Sequence, residues 1–321
     1  MGLLQNSRIT TITIALAALT LFTAGRAMAT TRVVYQGDEA CIDDDGDEYY
    51  TTITAAVDAS YDGDTIEVCD GTYTEAFTIF QNDLTLESVN QSGATIQAPY
   101  RLTPGGAIIE VIGDEDYVAP FAGGDGEGGV FIDGFIISGP SRASGACKLQ
   151  EGIFVHEDAV ATISDNQIVS IRDNPLSGCQ TGFGIRVGEY IGDDDGEEND
   201  PGTGTLTGNI ISDYQKGGIW VDGDGSSATI TENTITGAGK TNVIAQNGIQ
   251  ISNTTFESTI TGNSINNNFF DNKGCFKTGG CYRAVGVLEL NAGAKGDTAK
   301  ILKHNTFSKN QFRVVVSLPK P

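Results

Sequence analysis

Residues 218–237 read GIWVDGDGSSATITENTITG, and variants of this pattern recur along the chain. Four segments open on a glycine, GIFVHED at 152, GIRVGEY at 184, GIWVDGD at 218 and GIQISNT at 248, and each precedes a variant of ATITxNxI. The units alternate apolar and polar residues, are rich in β-branched side chains and show no helical periodicity. Units of this kind bury a core only by stacking on one another, which predicts a parallel β-solenoid.

The alignment of the repeats predicts which side chains form continuous columns. Alternation along the G-I-x-V strands places two columns toward the core, one of Ile153, Ile185, Ile219 and Ile249, the other of Val155, Val187, Val221 and Ile251. In a third column, asparagine side-chain amides are predicted to bond along the stack of coils, which lie ~4.8 Å apart. This asparagine ladder consists of Asn166, Asn209, Asn233, Asn263 and Asn305.

The front of the chain carries a family resemblance. YYTTITAAVDASYDGDTIEVCDGTYTEAFTI, from Tyr49 to Ile79, resembles the opening of secreted bacterial proteins of the right-handed parallel β-helix, pectin-lyase-like superfamily. The resemblance implies an all-β, right-handed single-stranded parallel β-helix of about eight rungs. It also implies a short capping helix over residues 53–60, with Ile53, Ala56 and Val57 on its apolar face. The superfamily includes lyases, hydrolases, epimerases and adhesins, so membership does not specify one reaction.

The first 29 residues have the pattern of a secretory signal peptide, with Arg8, an apolar run at 14–22 and Ala27-Met28-Ala29 before the cleavage point. This pattern predicts a secreted or periplasmic protein. The remaining residues, 30–321, are predicted to form one β-helix domain, with an N-terminal cap at about 30–64 and repeats at about 65–321.

Six cysteines in an exported chain predict disulfide bonds. Cys147 and Cys179 lie at equal offsets from their repeat glycines and should meet on neighbouring coils. Cys275 and Cys281 should close a local loop, which leaves Cys41 to pair with Cys69.

Acidic residues outnumber basic ones by 42 to 19, which gives a net charge of −23. A field of that sign repels nucleic acid and anionic membranes, so neither is an expected partner. The N-terminal apolar run is too short to span a bilayer, so no membrane span is predicted. The charge would favour bound cations, and it also suits an exported protein that simply stays soluble.

The variable residues of the G-I-x-V strands are predicted to face outward. One outward column contains Phe154, Arg186, Trp220 and Gln250, and the next contains His156, Gly188, Asp222 and Ser252. Aromatic rings flanking a guanidinium would bind a sugar ring through CH and cation contacts. The alternative is that Phe154, Arg186 and Trp220 stack on one another as a stabilising ladder or lie under a loop.

Loops on the two sides of this face carry opposite charges. Basic residues such as Arg172 and Lys216 precede the strands, whereas the acidic segments 113–128 and 188–204 follow them. A trough of this kind suits β-elimination on an acidic polysaccharide, in which a cation neutralises the uronate carboxylate and a base removes the C5 proton. The candidate catalytic residues are Arg186, Lys216, His156 and Tyr190. The candidate substrate-binding residues are Phe154, Trp220, Asp222, Gln250 and Arg172.

The second acidic segment also predicts a cofactor. Asp193, Asp194, Asp195 and Glu197 would supply the oxygen ligands that Ca2+ prefers. A solvated acidic loop is the other interpretation, because the segment lacks the first aspartate of the D-x-D-x-D-G calcium loop.

Three functional hypotheses stay open at this point. The first is a secreted protein that binds and cleaves an extracellular acidic polysaccharide by Ca2+-assisted elimination. The second is hydrolysis by Glu157 and Glu189, which occupy one offset on consecutive rungs, ~4.8 Å apart. The third is a non-catalytic surface or matrix protein that serves as a spacer or adhesin. The absence of the Trp-x-Asp-His motif of pectate lyases and of the Tyr-Gly-x-Asp-Pro-His signature of alginate epimerases favours the third.

Overall fold

The chain coils into three parallel sheets that enclose one apolar core. The computed structural model describes residues 29–37, 41, 46–113, 129–140, 145–191, 199–271, 282–292 and 298–317. Each coil contributes one strand to each sheet in turn, and crossovers between parallel strands of one sheet are right-handed in nearly all proteins. The fold is therefore a right-handed parallel β-helix, as the resemblance implied.

Sheet 1 consists of β1 Thr31–Val34, β2 Glu48–Tyr50, β3 Thr65–Val68, β6 Thr85–Ser88, β9 Val130–Asp133, β12 Val160–Ser164, β15 Thr203–Thr207, β18 Ser227–Thr231 and β21 Thr259–Thr261. Sheet 2 consists of β4 Gly71–Tyr73, β7 Ala94–Gln97, β10 Ile136–Ser138, β13 Gln167–Val169, β16 Ile210–Ser212, β19 Thr234–Thr241, β22 Ser264–Phe270 and β24 Thr306–Ser308. Sheet 3 consists of β5 Phe77–Ile79, β8 Ala107–Ile112, β11 Glu151–His156, β14 Phe183–Val187, β17 Gly217–Asp222, β20 Asn247–Ser252, β23 Val285–Leu290 and β25 Phe312–Ser317. The two helices are α1 Ile53–Ala59 and α2 Thr298–His304.

The predicted inward columns are confirmed by the strand register. Ile153 pairs with Ile185, which pairs in turn with Ile219 and Ile249 on successive coils. All of these side chains are buried, as are those of the parallel valine column. Since burying an isoleucine side chain contributes about 1.5–3 kcal/mol, the repeated apolar positions hold the coils together.

The asparagine ladder is also confirmed. Each amide nitrogen donates to the amide oxygen of the asparagine on the next coil, at 3.2, 3.0, 3.0 and 2.9 Å from Asn166 to Asn305. The same nitrogens donate to backbone carbonyls, for example from Asn209 to Ile163 at 2.8 Å. The ladder therefore satisfies buried backbone groups at a corner where strand pairing stops.

The first end of the solenoid is covered by α1, as predicted, with Ile53, Ala56 and Val57 buried. Its N terminus is capped twice. The Thr52 hydroxyl accepts a hydrogen bond from the amide of Ala55, and the Glu75 carboxylate accepts from the amide of Ile53 at 3.0 Å.

The other end differs from the prediction. The residues before the ladder position Asn305 correspond to a strand in the other repeats, but Thr298–His304 forms the helix α2. Alanine, lysine and leucine are good helix formers, and this segment contains all three. The rest of the repeat is retained: the Asn305 amide donates to the carbonyls of Ile260 and Ile301, and Thr306–Ser308 forms β24 in register with β22.

Two predicted disulfides are present, Cys41–Cys69 and Cys147–Cys179, with Cα atoms 5.6 and 5.4 Å apart. The predicted pair Cys275 and Cys281 lies outside the described residues, as do residues 1–28 of the predicted signal peptide. Neither helix in the described part of the chain is long and apolar enough to cross a lipid bilayer.

Candidate functional site

The outer face of sheet 3 carries the predicted column of variable residues in register. Phe154, Arg186, Trp220 and Gln250 pair across β11, β14, β17 and β20, and the column continues to Glu110 on β8. Trp220 is half-buried, whereas Phe154, Arg186 and Gln250 are only 2%, 7% and 8% exposed, respectively. The column is therefore a largely buried cluster.

These side chains stack on one another. The Arg186 guanidinium carbon lies 5.0 Å from the centre of the Phe154 ring and 4.2 Å from that of Trp220. The His156 ring is also stacked on Phe154, with ring centroids 3.9 Å apart and an interplanar angle of 7°. Trp220 is tilted against Phe183, with ring centroids 4.7 Å apart. The stacking interpretation of this column thus describes the structure.

Three carboxyl groups surround Arg186. Its Nη1 lies 3.6 Å from Glu151 Oε1 and 3.1 Å from Glu189 Oε1, and its Nη2 donates to Asp222 at 3.3 Å. Asp222 is fixed in turn, because it accepts hydrogen bonds from the Ser252 hydroxyl at 2.8 Å and the Asn253 amide at 2.9 Å. A guanidinium has five N–H donors and no acceptor, so Arg186 is suited to neutralising negative charge rather than to accepting a proton.

Glu151 is a site residue that the sequence interpretation missed. It is 1% exposed, and its Oε2 has no hydrogen-bond partner among the described residues. Burial raises the pKa of Glu151 from 4.5 to about 8, because the attraction of Arg186 offsets only part of the cost of desolvation and Glu189 adds repulsion. At neutral pH this carboxyl group is therefore protonated and can donate a proton.

The repeat glycine Gly152 is the sequence feature that could have indicated that Glu151 faces outward. A Cβ on Gly152 would meet Ile168 at 3.0 Å, so this position faces the core together with Ile153. With two consecutive inward positions, the residue before the glycine returns to the outer face and lies beside Arg186. Simple alternation would have placed it inward.

Glu110 was missed for a different reason. Its coil reads Ile109-Glu110-Val111 and lacks the repeat glycine, yet it pairs in register with β11. The Glu110 carboxylate is buried and accepts from His156 Nε2 at 3.1 Å and from the amide of Gly105 at 3.1 Å. Burial acts to raise the pKa of Glu110, but the hydrogen bond and charge of His156 outweigh it and hold that pKa below its ordinary value.

Three predicted residues lie apart from this cluster or touch it only through the backbone. Lys216 donates to the carbonyl of Ala245 at 3.1 Å and lines a separate cavity of about 470 Å³, where burial lowers its pKa. Arg172 forms an ion pair with Asp213 at 2.8 Å. Tyr190 is 39% exposed, and its backbone amide donates to Asp222 at 3.3 Å.

The predicted calcium ligands Asp193, Asp194, Asp195 and Glu197 lie outside the described residues. The two glutamates considered for hydrolysis take different partners. The Glu189 side chain, 38% exposed, contacts Arg186, whereas the Glu157 side chain, 49% exposed, lies 3.7 Å from His156 Nδ1.

No family model matches the sequence, and no curated protein matches it significantly. Among solved structures, the fold is similar to that of the Escherichia coli protein YbhC, with a TM-score of 0.43 and 12% identity over 95% of this chain and 88% of that one. It is also similar to an Aspergillus niger pectin methylesterase, with a TM-score of 0.42 and 14% identity over 92% of this chain and 88% of that one. The similarity to the pectate lyase Pel9A has a TM-score of 0.43 and 13% identity over 92% of this chain and 79% of that one. At these identities the likeness concerns the fold alone.

Proposed function

We propose that this protein binds an extracellular polysaccharide along the outer face of sheet 3 and cleaves its glycosidic bonds by acid–base chemistry at the Arg186 cluster. One observation supports the proposal above all others. A buried carboxyl group, Glu151, and a surface one, Glu189, contact the same guanidinium nitrogen, Nη1 of Arg186. Two carboxyl groups in such different surroundings supply an acid and a base from one residue type.

The roles follow from burial and charge. Glu151 holds a proton at neutral pH and would donate it to the departing glycosidic oxygen. Glu189, at the surface, would accept a proton from the substrate or from water. Arg186 would stabilise the negative charge that develops between them, and the fixed carboxylate of Asp222 would keep the guanidinium in place.

The substrate decides between elimination and hydrolysis. On a uronate polymer, Arg186 would neutralise the sugar carboxylate and make the C5 proton acidic, which leads to elimination and an unsaturated product. Because the chain carries a net charge of −23, a bound Ca2+ would help to hold such a polyanion, and this ion remains a proposed cofactor. On a neutral glycan, hydrolysis by the same pair would produce only new reducing ends.

Secretion belongs to the same proposal. Two disulfides within the described residues suit an oxidising compartment, where an extracellular polysaccharide would be met.

The test is cleavage of a panel of uronate-containing and neutral polysaccharides, with Ca2+ or with a chelator, measured by ultraviolet absorbance and by reducing ends. We expect Glu151→Gln to reduce the rate at least about 100-fold, the ordinary contribution of a general acid. Glu257→Gln, the same substitution at an exposed position outside the strands, should leave the rate unchanged. Full activity in Glu151→Gln, or no cleavage of any polymer by the wild type, would reject the proposal.

A second candidate function is a non-catalytic surface or matrix protein. The observation in its favour is the stack of Phe154, Arg186 and Trp220, which is largely buried and serves as a ladder between coils. On this view the wild type cleaves nothing, and Glu151→Gln retains whatever glycan binding the wild type shows.

A further inference from the structure

Three side chains that can ligate a metal converge beyond the end of β11. His156 is the last residue of that strand, Glu157 follows it in the turn, and Asp200 reaches the same point from a distant part of the chain. One ligand atom from each lies within 4.8 Å of the other two. Glu157 and Asp158 have φ angles of 52° and 63°, so the backbone turns sharply here and places Glu157 beside the histidine rather than on the opposite face of the strand.

His156 is oriented as a ligand would be. Its side chain is 7% exposed, and its Nε2 is 3.1 Å from Glu110 Oε1. Because a carboxylate only accepts hydrogen bonds, Nε2 carries a proton, and in the neutral ring Nδ1 presents a lone pair. Nδ1 is buried and has no hydrogen-bond partner among the described residues. A buried nitrogen without a partner carries a desolvation cost that a ligand would relieve.

The spacing fits a metal ion better than a hydrogen bond. His156 Nδ1 lies 3.7 Å from Glu157 Oε1, which is too long for a hydrogen bond. Two ligands at ~2.1 Å from a tetrahedral ion are about 3.4 Å apart, so small side-chain adjustments would suffice for coordination.

The surrounding backbone holds the third ligand in place. Asp200 and Glu189 exchange two backbone hydrogen bonds, at 2.7 and 3.1 Å, and the amide of Asp158 donates to Pro201 at 2.7 Å. These bonds tie the segment that carries Asp200 to the turn that carries Glu157. The site is therefore preorganised across three separate segments of the chain.

We propose that His156 Nδ1, Glu157 and Asp200 bind a divalent transition-metal ion of the zinc or manganese class, with Glu110 orienting the histidine. An imidazole ligand selects against Ca2+, which takes oxygen ligands. A carboxylate that accepts from the second ring nitrogen is the usual outer partner of a metal-bound histidine. Three protein ligands leave at least one coordination position for water or a substrate oxygen. The inference is independent of the proposed cleavage reaction and of the proposed Ca2+ site.

The test uses the full chain, dialysed against a chelator and titrated with Zn2+ by calorimetry and with Co2+ by visible absorption. We expect one ion per chain and Co2+ bands that indicate nitrogen coordination. Glu157→Gln and Asp200→Asn should each weaken binding at least about 100-fold, and Glu110→Gln should weaken it about 10- to 100-fold through the histidine. Glu257→Gln, exposed and distant in sequence, is the matched control.

The outcomes separate clearly because no substrate is involved. Circular dichroism identifies any variant that fails to fold, and Glu157→Gln is the safest of them because its side chain is 49% exposed. Unchanged affinity in folded Glu157→Gln and Asp200→Asn would overturn the inference, since the ion would then bind elsewhere. Tighter binding of Ca2+ than of Zn2+ at this site would overturn the assigned metal class.

Discussion

Replacement of Glu151 by glutamine should make the protein more stable, and increasingly so as the pH rises. Glutamine has nearly the same shape and no charge, so it mimics the protonated carboxyl group that the fold contains. In the folded chain burial raises the pKa of Glu151 to about 8, whereas the ordinary value is 4.5. Between these two values the unfolded wild type is ionised and the folded wild type is not.

The size of the effect follows from linkage. Each pKa unit corresponds to about 1.4 kcal/mol, so the wild type loses stability at about 1.4 kcal/mol per pH unit across this window. The contribution of Glu151 is fully present below pH 4.5 and is lost as the pH rises toward 8. The free energy of unfolding of Glu151→Gln, minus that of the wild type, should therefore increase by about 3 kcal/mol between pH 5 and pH 7.5.

The measurement is urea unfolding of both proteins at several pH values, followed by the fluorescence of Trp220, the single tryptophan of the chain, whose ring contacts Arg186. Glu257→Gln, the same substitution at an exposed position, is the matched control. A flat difference for Glu151→Gln would refute the reasoning. A variant that becomes relatively less stable as the pH rises would show that Glu151 is ionised and held by Arg186.

Two further predictions concern the solenoid. Asn233→Ala should lower the free energy of unfolding by about 3 kcal/mol. The substitution removes the acceptor of the Asn209 backbone amide at 2.9 Å and the donor to the Leu206 carbonyl at 2.9 Å, and both bonds are buried. Urea unfolding measures the loss beside the exposed control Thr234→Ala, and an equal loss in both variants would contradict a special role for the ladder. Trp220→Ala should lower the free energy of unfolding by about 2–3 kcal/mol, and Trp220→Phe should lower it by less than about 1.5 kcal/mol. Phenylalanine keeps a ring on Arg186 and loses only the 2.7 Å hydrogen bond to Ser252. Thermal unfolding followed by circular dichroism compares the two variants, and equal losses would argue against the ring contact.

The repeats of the sequence specified most of the fold. A period in which Ile153, Ile185 and Ile219 recur at matching positions can bury its apolar side chains only by stacking coil on coil. The asparagine column and the disulfide Cys147–Cys179 follow from the same alignment, whereas Cys41–Cys69 was predicted as the remaining pair. The helix α2 was the exception, because its alanine, lysine and leucine residues favour a helix where the other repeats have a strand.

The site was predicted less completely. The sequence placed Phe154, Arg186 and Trp220 in one outward column, which was correct, because a period of two and a fixed register suffice for that. Alternation alone could not reveal Glu151, since the repeat glycine uses an extra inward position and shifts the residue before it to the outer face.

Which residues line up along a β-helix is thus determined by the sequence itself, because each residue repeats the environment of its counterpart one coil away. The environment above the outer face is determined only by the tertiary structure. Glu189 and Asp200 lie outside the strands of sheet 3 and reach Arg186 and His156 from there, and the burial of Glu151 depends on neighbours from several coils. Charge states and metal-binding geometry arise from such non-local contacts, since desolvation and Coulomb energies depend on distances in space rather than along the chain.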